Sequence, residues 1–229
     1  MPLPSQSPFY HCWRARLGPV PLKSLAILSA SERARWARFH AAGAQRAYAG
    51  AHLFMRTVLG QYTEQPPAAL ALGADARQKP TINATSPLWF NLSYRAQWAV
   101  LAVSNEGEVG IDIEEVKPIA GAETLVEQLF SPAEQTALRH TAGTEWWALF
   151  YAIWTRKEAW AKLLGMGLAL PFAEFSVAAW TGATVAWQLP APGQLHCFAT
   201  DASHAAALAI RLPPAASSAV VWQHFTYSS

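Results

Sequence analysis

The run Gly110-Ile111-Asp112-Ile113-Glu114 places two carboxylates two residues apart. Side chains alternate along a strand, so Asp112 and Glu114 share one face, and Ile111 and Ile113 the other. Adjacent acids repel unless something positive lies between them. An oxygen-only pair of this kind suits a hard divalent cation, Mg²⁺ in particular, which takes one or two carboxylates together with water and phosphate oxygens. The plain alternative is a solvated polar face on an edge strand. About forty residues on, Trp147, Phe150, Tyr151 and Trp154 recur at helical spacing, and the same stripe continues through Glu158 to Ala161 and Lys162. Glu158 therefore points inward. A carboxylate facing a core needs a cation, and Lys162 one turn on supplies only part of it. The bland reading is a Glu158–Lys162 pair closing the helix. Arg156, on the opposite face, is expected to be ordinary solvated charge.

Several elements must position these groups. Ser29-Ala-Ser-Glu32 is a capping box that opens a short Arg-rich helix ending near Gly43. A second helix runs from Gln45 to about Tyr62 and buries Tyr48, Ala51, Met55, Val58 and Leu59. Residues 88–104 alternate as a hairpin, and Val109–Glu114 is a third strand. Ser131-Pro-Ala-Glu134 is a second capping box, and the longest helix spans about Thr144 to Leu164, stopped by Gly165 and Gly167. Strand candidates follow at Phe175–Trp180, Thr184–Leu189, Leu195–Thr200 and Ala206–Leu212. Each half thus reads as helices followed by antiparallel strands, and LSYRAQWAVLAVS and FATDASHAAALAIRL look like related hairpins. The expected fold is α+β, with similar subdomains over residues 1–108 and 109–229.

Composition bounds the partners. With 52% hydrophobic residues, 11 tryptophans and 14% charged residues in a chain of 229, a sizeable core is available. The N-terminus lacks the apolar stretch of a signal peptide, and the longest apolar run, Trp146–Trp154, is too short to span a bilayer. Cys12 and Cys197 make neither a disulfide framework nor a metal knuckle, so a cytoplasmic setting is the default. No basic stripe interleaved with aromatics points to nucleic acid. The net charge of +2 hides an imbalance: residues 1–100 carry eleven Lys/Arg against three acids, and residues 101–229 six against twelve. One half is suited to an anion and the other to a cation.

GIDIE, then Trp154-Thr-Arg-Lys157-Glu158-Ala-Trp-Ala-Lys162 and Gly165-Met-Gly167-Leu168, resembles the two signature motifs of the phosphopantetheinyl transferases, most closely the Sfp type. Phe90-Asn91-Leu92-Ser93 and Lys79-Pro80 conform upstream, so the resemblance covers roughly residues 30–178. It implies a monomer of two subdomains related by a pseudo-twofold axis, with coenzyme A in the cleft between them. It further implies Asp112, Glu114 and Glu158 as magnesium ligands and Lys157 and Lys162 near the pyrophosphate. Lys79 and Ser93 fall at the nucleotide end. The implied reaction moves 4′-phosphopantetheine from coenzyme A to a serine of an apo acyl, peptidyl or aryl carrier protein and releases adenosine 3′,5′-bisphosphate. Such enzymes serve fatty acid, polyketide and nonribosomal peptide synthesis. Glu158, Lys162 and Asp112 are the expected catalytic groups.

Departures from the family pattern are specific. Tyr94 stands where the family commonly has His, and a tyrosine can donate to a phosphate but brings no positive charge. Arg95 is a candidate to compensate. Gln78 replaces the usual glycine before Lys-Pro, which matters if that turn needs a positive φ. Arg46 lies about one position off the family's phosphate-binding arginine, with Arg35 as the second candidate. His52 is expected to pack within its helix. The rival readings are an inactive relative that binds coenzyme A or a carrier protein without turnover, and an acidic cation-binding module with no transferase role.

Overall fold

The computed structural model describes residues 8–84, 86–177, 189, 191–211 and, for the backbone alone, 220–225. Both capping boxes form, with the Ser29 and Ser131 side chains accepting from the backbone N–H of Glu32 and Glu134. Helix α1 covers Ala30–Ala37, stopping about six residues short of Gly43, and α2 covers Ala42–Thr63. The early break has a local cause: Phe39 turns inward onto Tyr48, and the Gln45 side chain satisfies the Phe39 carbonyl at 2.8 Å. The predicted stripe of α2, Tyr48, Ala51, Met55, Val58 and Leu59, is buried.

Glu32 does more than cap. Its carboxylate also takes His52 Nδ1 at 3.0 Å and Arg56 Nε at 2.7 Å, and Arg56 is fully buried with its Nη1 on the Pro67 carbonyl at 2.8 Å. Burial alone would raise the Glu32 carboxyl, but the hydrogen bonds from His52 and the Ser29 backbone and the charge of Arg56 outweigh it and hold it at about 2, below its ordinary 4.5. A depressed carboxylate stabilises the fold above its unfolded-state value and loses that contribution as pH falls toward the folded one. Glu32→Gln should therefore cost roughly 3 kcal/mol at neutral pH. Urea titrations should show the gap to the natural protein closing as pH drops from 4.5 to 2; a gap independent of pH would mean that the charge contributes nothing.

Four strands build the N-terminal sheet: β1 (Tyr10–Arg16), β4 (Trp89–Arg95), β5 (Trp98–Ser104) and β9 (Val220–Phe225), in the order β4-β5-β1-β9. A small antiparallel pair, β2 (Leu72–Ala74) and β3 (Pro80–Ile82), sits beside it. The second sheet has β6 (Val109–Glu115), β7 (Gln194–Phe198) and β8 (His204–Ile210) in the order β6-β8-β7, all antiparallel. The 88–104 hairpin and the GIDIE strand are thus as predicted. Sequence patterning missed β1 and β9. The cause is visible in β1, whose Tyr10 and Cys12 enter one core and Trp13 and Ala15 another, so it carries no polar face to mark alternation. β9 joins β1 in parallel, the one parallel pairing among the described residues, and so returns Val220–Phe225 to the N-terminal sheet. The Phe175–Trp180 candidate forms no strand over 175–177, and its remainder lies outside the described residues, as does Thr184–Leu189 apart from Leu189.

The layers are stacked α/β/β/α. Helix α2 packs Phe54, Met55, Val58 and Leu59 on Phe90, Leu101 and Val103 of the first sheet. The inner faces of the two sheets share Val100, Ala102, Ile111, Ile113, Leu208 and Ile210. Helices α3 (Ala122–Leu129) and α4 (Pro132–Arg139) lead into α5 (Gly143–Leu164), which covers the outer face of the second sheet through Ile153, Trp160, Ala207 and Ala209. The fold is α+β, with two subdomains that each lay a 22-residue helix on a largely antiparallel sheet. Among the described residues no helix is long and apolar enough to cross a membrane.

Candidate active site between the subdomains

Strand alternation in β6 resolves as expected. Ile111 and Ile113 enter the inter-sheet core, while Gly110 lies against α5 so closely that an added Cβ would stand 2.1 Å from the Ala159 carbonyl oxygen and 2.3 Å from the Leu163 amide. This backbone contact brings the last turns of α5, with Lys162, to the carboxylate side of β6. A glycine inside a strand is a sequence signal for such an approach.

β4 runs along the other edge of β6. Asn91 Oδ1 accepts the Ile111 amide at 2.9 Å, so a side chain completes the ladder between strands of different sheets. Ser93, two residues on, donates to Asp112 Oδ1 at 3.0 Å. Lys162 Nζ donates to the same oxygen at 2.5 Å, and to Ser93 Oγ and the Ile111 carbonyl at 3.1 Å each. Asp112 is only 4% exposed, and its second oxygen, Oδ2, is buried with no hydrogen-bond partner. A buried carboxylate oxygen left bare is costly unless a ligand completes it.

The Glu158–Lys162 closing pair does not form, because Lys162 reaches Asp112 instead. Glu158 is half-buried and makes no hydrogen bond or ion pair among the described residues. Burial, then the charges of Asp112 and Glu114, push its carboxyl up, with Lys162 opposing. Glu114 is raised by burial and then by Asp112; Arg95 Nε, 3.0 Å from Glu114 Oε2, works against the rise. The three acids thus repel one another with Lys162 and Arg95 as their near cations, an excess of negative charge that fits a divalent ion. Among the described residues no three His, Cys, Asp or Glu side chains stand close enough together to hold one.

Other expected residues are placed differently. Lys157 does not reach the site: its ammonium is fully buried on the far side of α5, held by Glu134 at 2.9 Å, the Phe175 carbonyl at 2.7 Å and the Phe172 carbonyl, and it lies over the Phe175 ring. The expected approach of Lys157 to the pyrophosphate is corrected on that ground, since leaving would strand a buried Glu134 carboxylate. Arg156 is not ordinary solvated charge either. It is half-buried, with Nε 2.9 Å from Cys197 Sγ and Nη1 on the Val177 carbonyl at 3.1 Å, because β7 and the segment after α5 cover that face. Lys79 is buried, and its ammonium is taken by the Leu163 carbonyl at 2.6 Å and by Glu108 at 3.5 Å. It lines a pocket of about 280 Å³ with Arg77 and Trp89. The turn before it does require the left-handed region: Gln78 has φ of 61°, where the family glycine would be unstrained.

Tyr94 and Arg46 line a larger cavity of about 630 Å³ with Phe39, Arg95, Gln97 and Lys117. The Tyr94 ring meets Tyr48 and His52 edge-on, burial raises its hydroxyl, and the positive charge of Arg35 opposes that rise. Arg35 is exposed and stands 5.8 Å from the Tyr48 ring centre. His52 stacks on Tyr48 at 4.1 Å, in the packing role expected of it.

Together these features describe a two-subdomain protein in which Ser93 of β4, Asp112 of β6 and Lys162 of α5 meet. Residues 18–106 match the family model described as 4′-phosphopantetheinyl transferase, N-terminal, and residues 108–210 that of the 4′-phosphopantetheinyl transferase superfamily. The chain is 33% identical over 177 residues to a 4′-phosphopantetheinyl transferase of Bacillus subtilis, covering 77% of each chain. It is 33% identical over 165 residues to the transferase HetI of Nostoc sp., covering 69% of this chain and 70% of that one. With the transferase psf-1 of Bacillus pumilus it shares 29% over 199 residues, 86% of this chain and 82% of that one. The chain belongs to the 4′-phosphopantetheinyl transferase superfamily, as its motifs implied, and its activity is phosphopantetheinylation of carrier proteins from coenzyme A.

Proposed function

We infer that transfer takes place at Asp112, Glu114, Glu158 and Lys162, with Ser93 holding Asp112 and Lys162 in register. One observation carries this reading: Asp112 presents one oxygen to Lys162 and Ser93 and keeps the other buried and bare beside two carboxyls that its charge pushes up. Asp112, Glu114 and Glu158 would hold a divalent ion, Mg²⁺ by its preference for oxygen, and such an ion supplies charge neutralisation at the pyrophosphate. The carrier serine hydroxyl attacks the β-phosphorus of coenzyme A, forming the new oxygen–phosphorus bond as the bond to the bridging oxygen breaks and adenosine 3′,5′-bisphosphate leaves. Glu158 accepts the serine proton. Lys162 stabilises charge on the departing phosphate. Arg46, Arg35 and Tyr94 serve the 3′-phosphate, consistent with the basic excess of the first hundred residues.

In this reading residues 1–108 form the coenzyme A phosphate side and residues 109–229 the catalytic side, save that β9 crosses back into the first sheet. The protein acts as a cytoplasmic monomer on apo acyl, peptidyl or aryl carriers of fatty acid, polyketide or nonribosomal peptide synthesis. Intact-protein mass spectrometry of a panel of apo carriers, incubated with coenzyme A and Mg²⁺, should show the mass gain of one phosphopantetheine on at least one of them. The gain should be lost on adding a chelator. Tight coenzyme A binding with no gain on any carrier would favour the inactive relative. Binding of coenzyme A should also weaken with salt and on removal of its 3′-phosphate; equal affinity for the dephospho form would return Arg35 and Arg46 to solvated surface.

A further inference from the structure

Arg95 is the last residue of β4, on the tight turn closed by Ala96, and its Nε rests 3.0 Å from Oε2 of Glu114. The same side chain lines the 630 Å³ cavity with Arg46, Tyr94 and Lys117. It therefore touches two places at once: one of the acids assigned to the ion, and the cavity wall that includes residues assigned to the phosphates. We propose that Arg95 is an internal counter-ion that competes with the divalent ion for Glu114, and that ion binding releases its guanidinium into the cavity to meet a phosphate of coenzyme A. This rests on the functional reading above and deepens it.

Several observations favour the exchange. Arg95 is paired with Glu114, one of the acids assigned to the ion. The pair is open to solvent on its arginine side, where 47% of the side chain is exposed, so the guanidinium can leave the half-buried Glu114 for water or the cavity when a doubly charged ion takes the carboxylate. The neighbouring Lys117 is engaged by Glu115 at 2.6 Å. Tyr94 brings no charge to the cavity, so a released Arg95 would supply a cation next to the neutral hydroxyl. Because binding couplings are reciprocal, an ion that frees Arg95 must strengthen coenzyme A binding by the factor with which coenzyme A strengthens ion binding.

The test measures Mn²⁺ uptake by electron paramagnetic resonance and coenzyme A binding by calorimetry, in the natural protein and in Arg95→Gln. Without coenzyme A, Arg95→Gln should bind Mn²⁺ about threefold more tightly, since its competitor is gone. With Mn²⁺ saturating, the same variant should bind coenzyme A about tenfold more weakly, and Arg95→Lys should fall between. Identical Mn²⁺ affinity in Arg95→Gln and the natural protein overturns the proposal, as does tighter Mn²⁺ with unchanged coenzyme A affinity. Matching thermal melts of the variants exclude misfolding as the cause. Asp112→Asn separates the two levels. If the natural protein takes up Mn²⁺ and Asp112→Asn does not, the ion site stands and only the role of Arg95 is in question. If the natural protein takes up none even with coenzyme A present, the ion site falls and the exchange falls with it.

Discussion

Asp112→Asn should fold and melt within a few degrees of the natural protein while losing about a thousandfold or more in transfer rate. The asparagine keeps the shape and an oxygen that can still accept from Lys162 and Ser93, so the hydrogen bonds that align β4, β6 and α5 survive. What disappears is the charge. In the resting protein its loss removes repulsion on Glu114 and Glu158, both of which it pushes up, and this offsets the loss of the Lys162 ion pair. In the proposed reaction the same charge would hold the ion and keep Lys162 aligned. Rates from the mass-spectrometric assay and melts by circular dichroism are the two readouts. A variant that fails to fold would make Asp112 a structural residue, and one that transfers within tenfold of the natural rate would remove it from the ion site.

The second large effect comes from one methyl group. Gly110→Ala would place a carbon 2.1 Å from the Ala159 carbonyl and 2.3 Å from the Leu163 amide, and neither atom belongs to a side chain that can swing away. Overpacking a core against movable side chains costs about 1–3 kcal/mol, and here the obstacle is helix backbone, so about 3 kcal/mol or more is expected. Denaturant titration should show this loss. Because Glu158 and Lys162 ride on α5, whatever folded protein remains should also transfer slowly. Trimming the neighbouring Leu163 to alanine should give no rescue, since the clash is with its main chain. Stability unchanged to within about 0.5 kcal/mol would show that α5 does not lie this close to β6.

Much of the architecture was legible because its signals are local. Capping boxes act over three residues, helix stripes over three and four, and strand alternation over two, so α2, α5, both capped helices, the 88–104 hairpin and the GIDIE strand followed from short windows. β1 and β9 gave no such pattern. A strand buried on both faces has no polar side, and a parallel partner some two hundred residues distant leaves no mark in either segment.

The site divides along the same line. From sequence alone came the oxygen-rich pair on β6, the inward Glu158, the split of charge between the halves and the family, since these depend on residue types and their order. Tertiary structure alone decided which cation meets which anion. Lys157 and Glu158 are neighbours in the chain, yet a helix turns successive residues by about 100°, so one is sealed against Glu134 and the other is directed to Asp112 and Glu114. Lys79 and Arg156 likewise found backbone carbonyls far along the chain, and Arg95 found Glu114. A charge in a sequence is a demand for a partner. Where the partners are distant in sequence, as most are here, only the packing of β4, β6 and α5 determines which demand is met within the protein and which, as at Asp112 Oδ2, is left unmet.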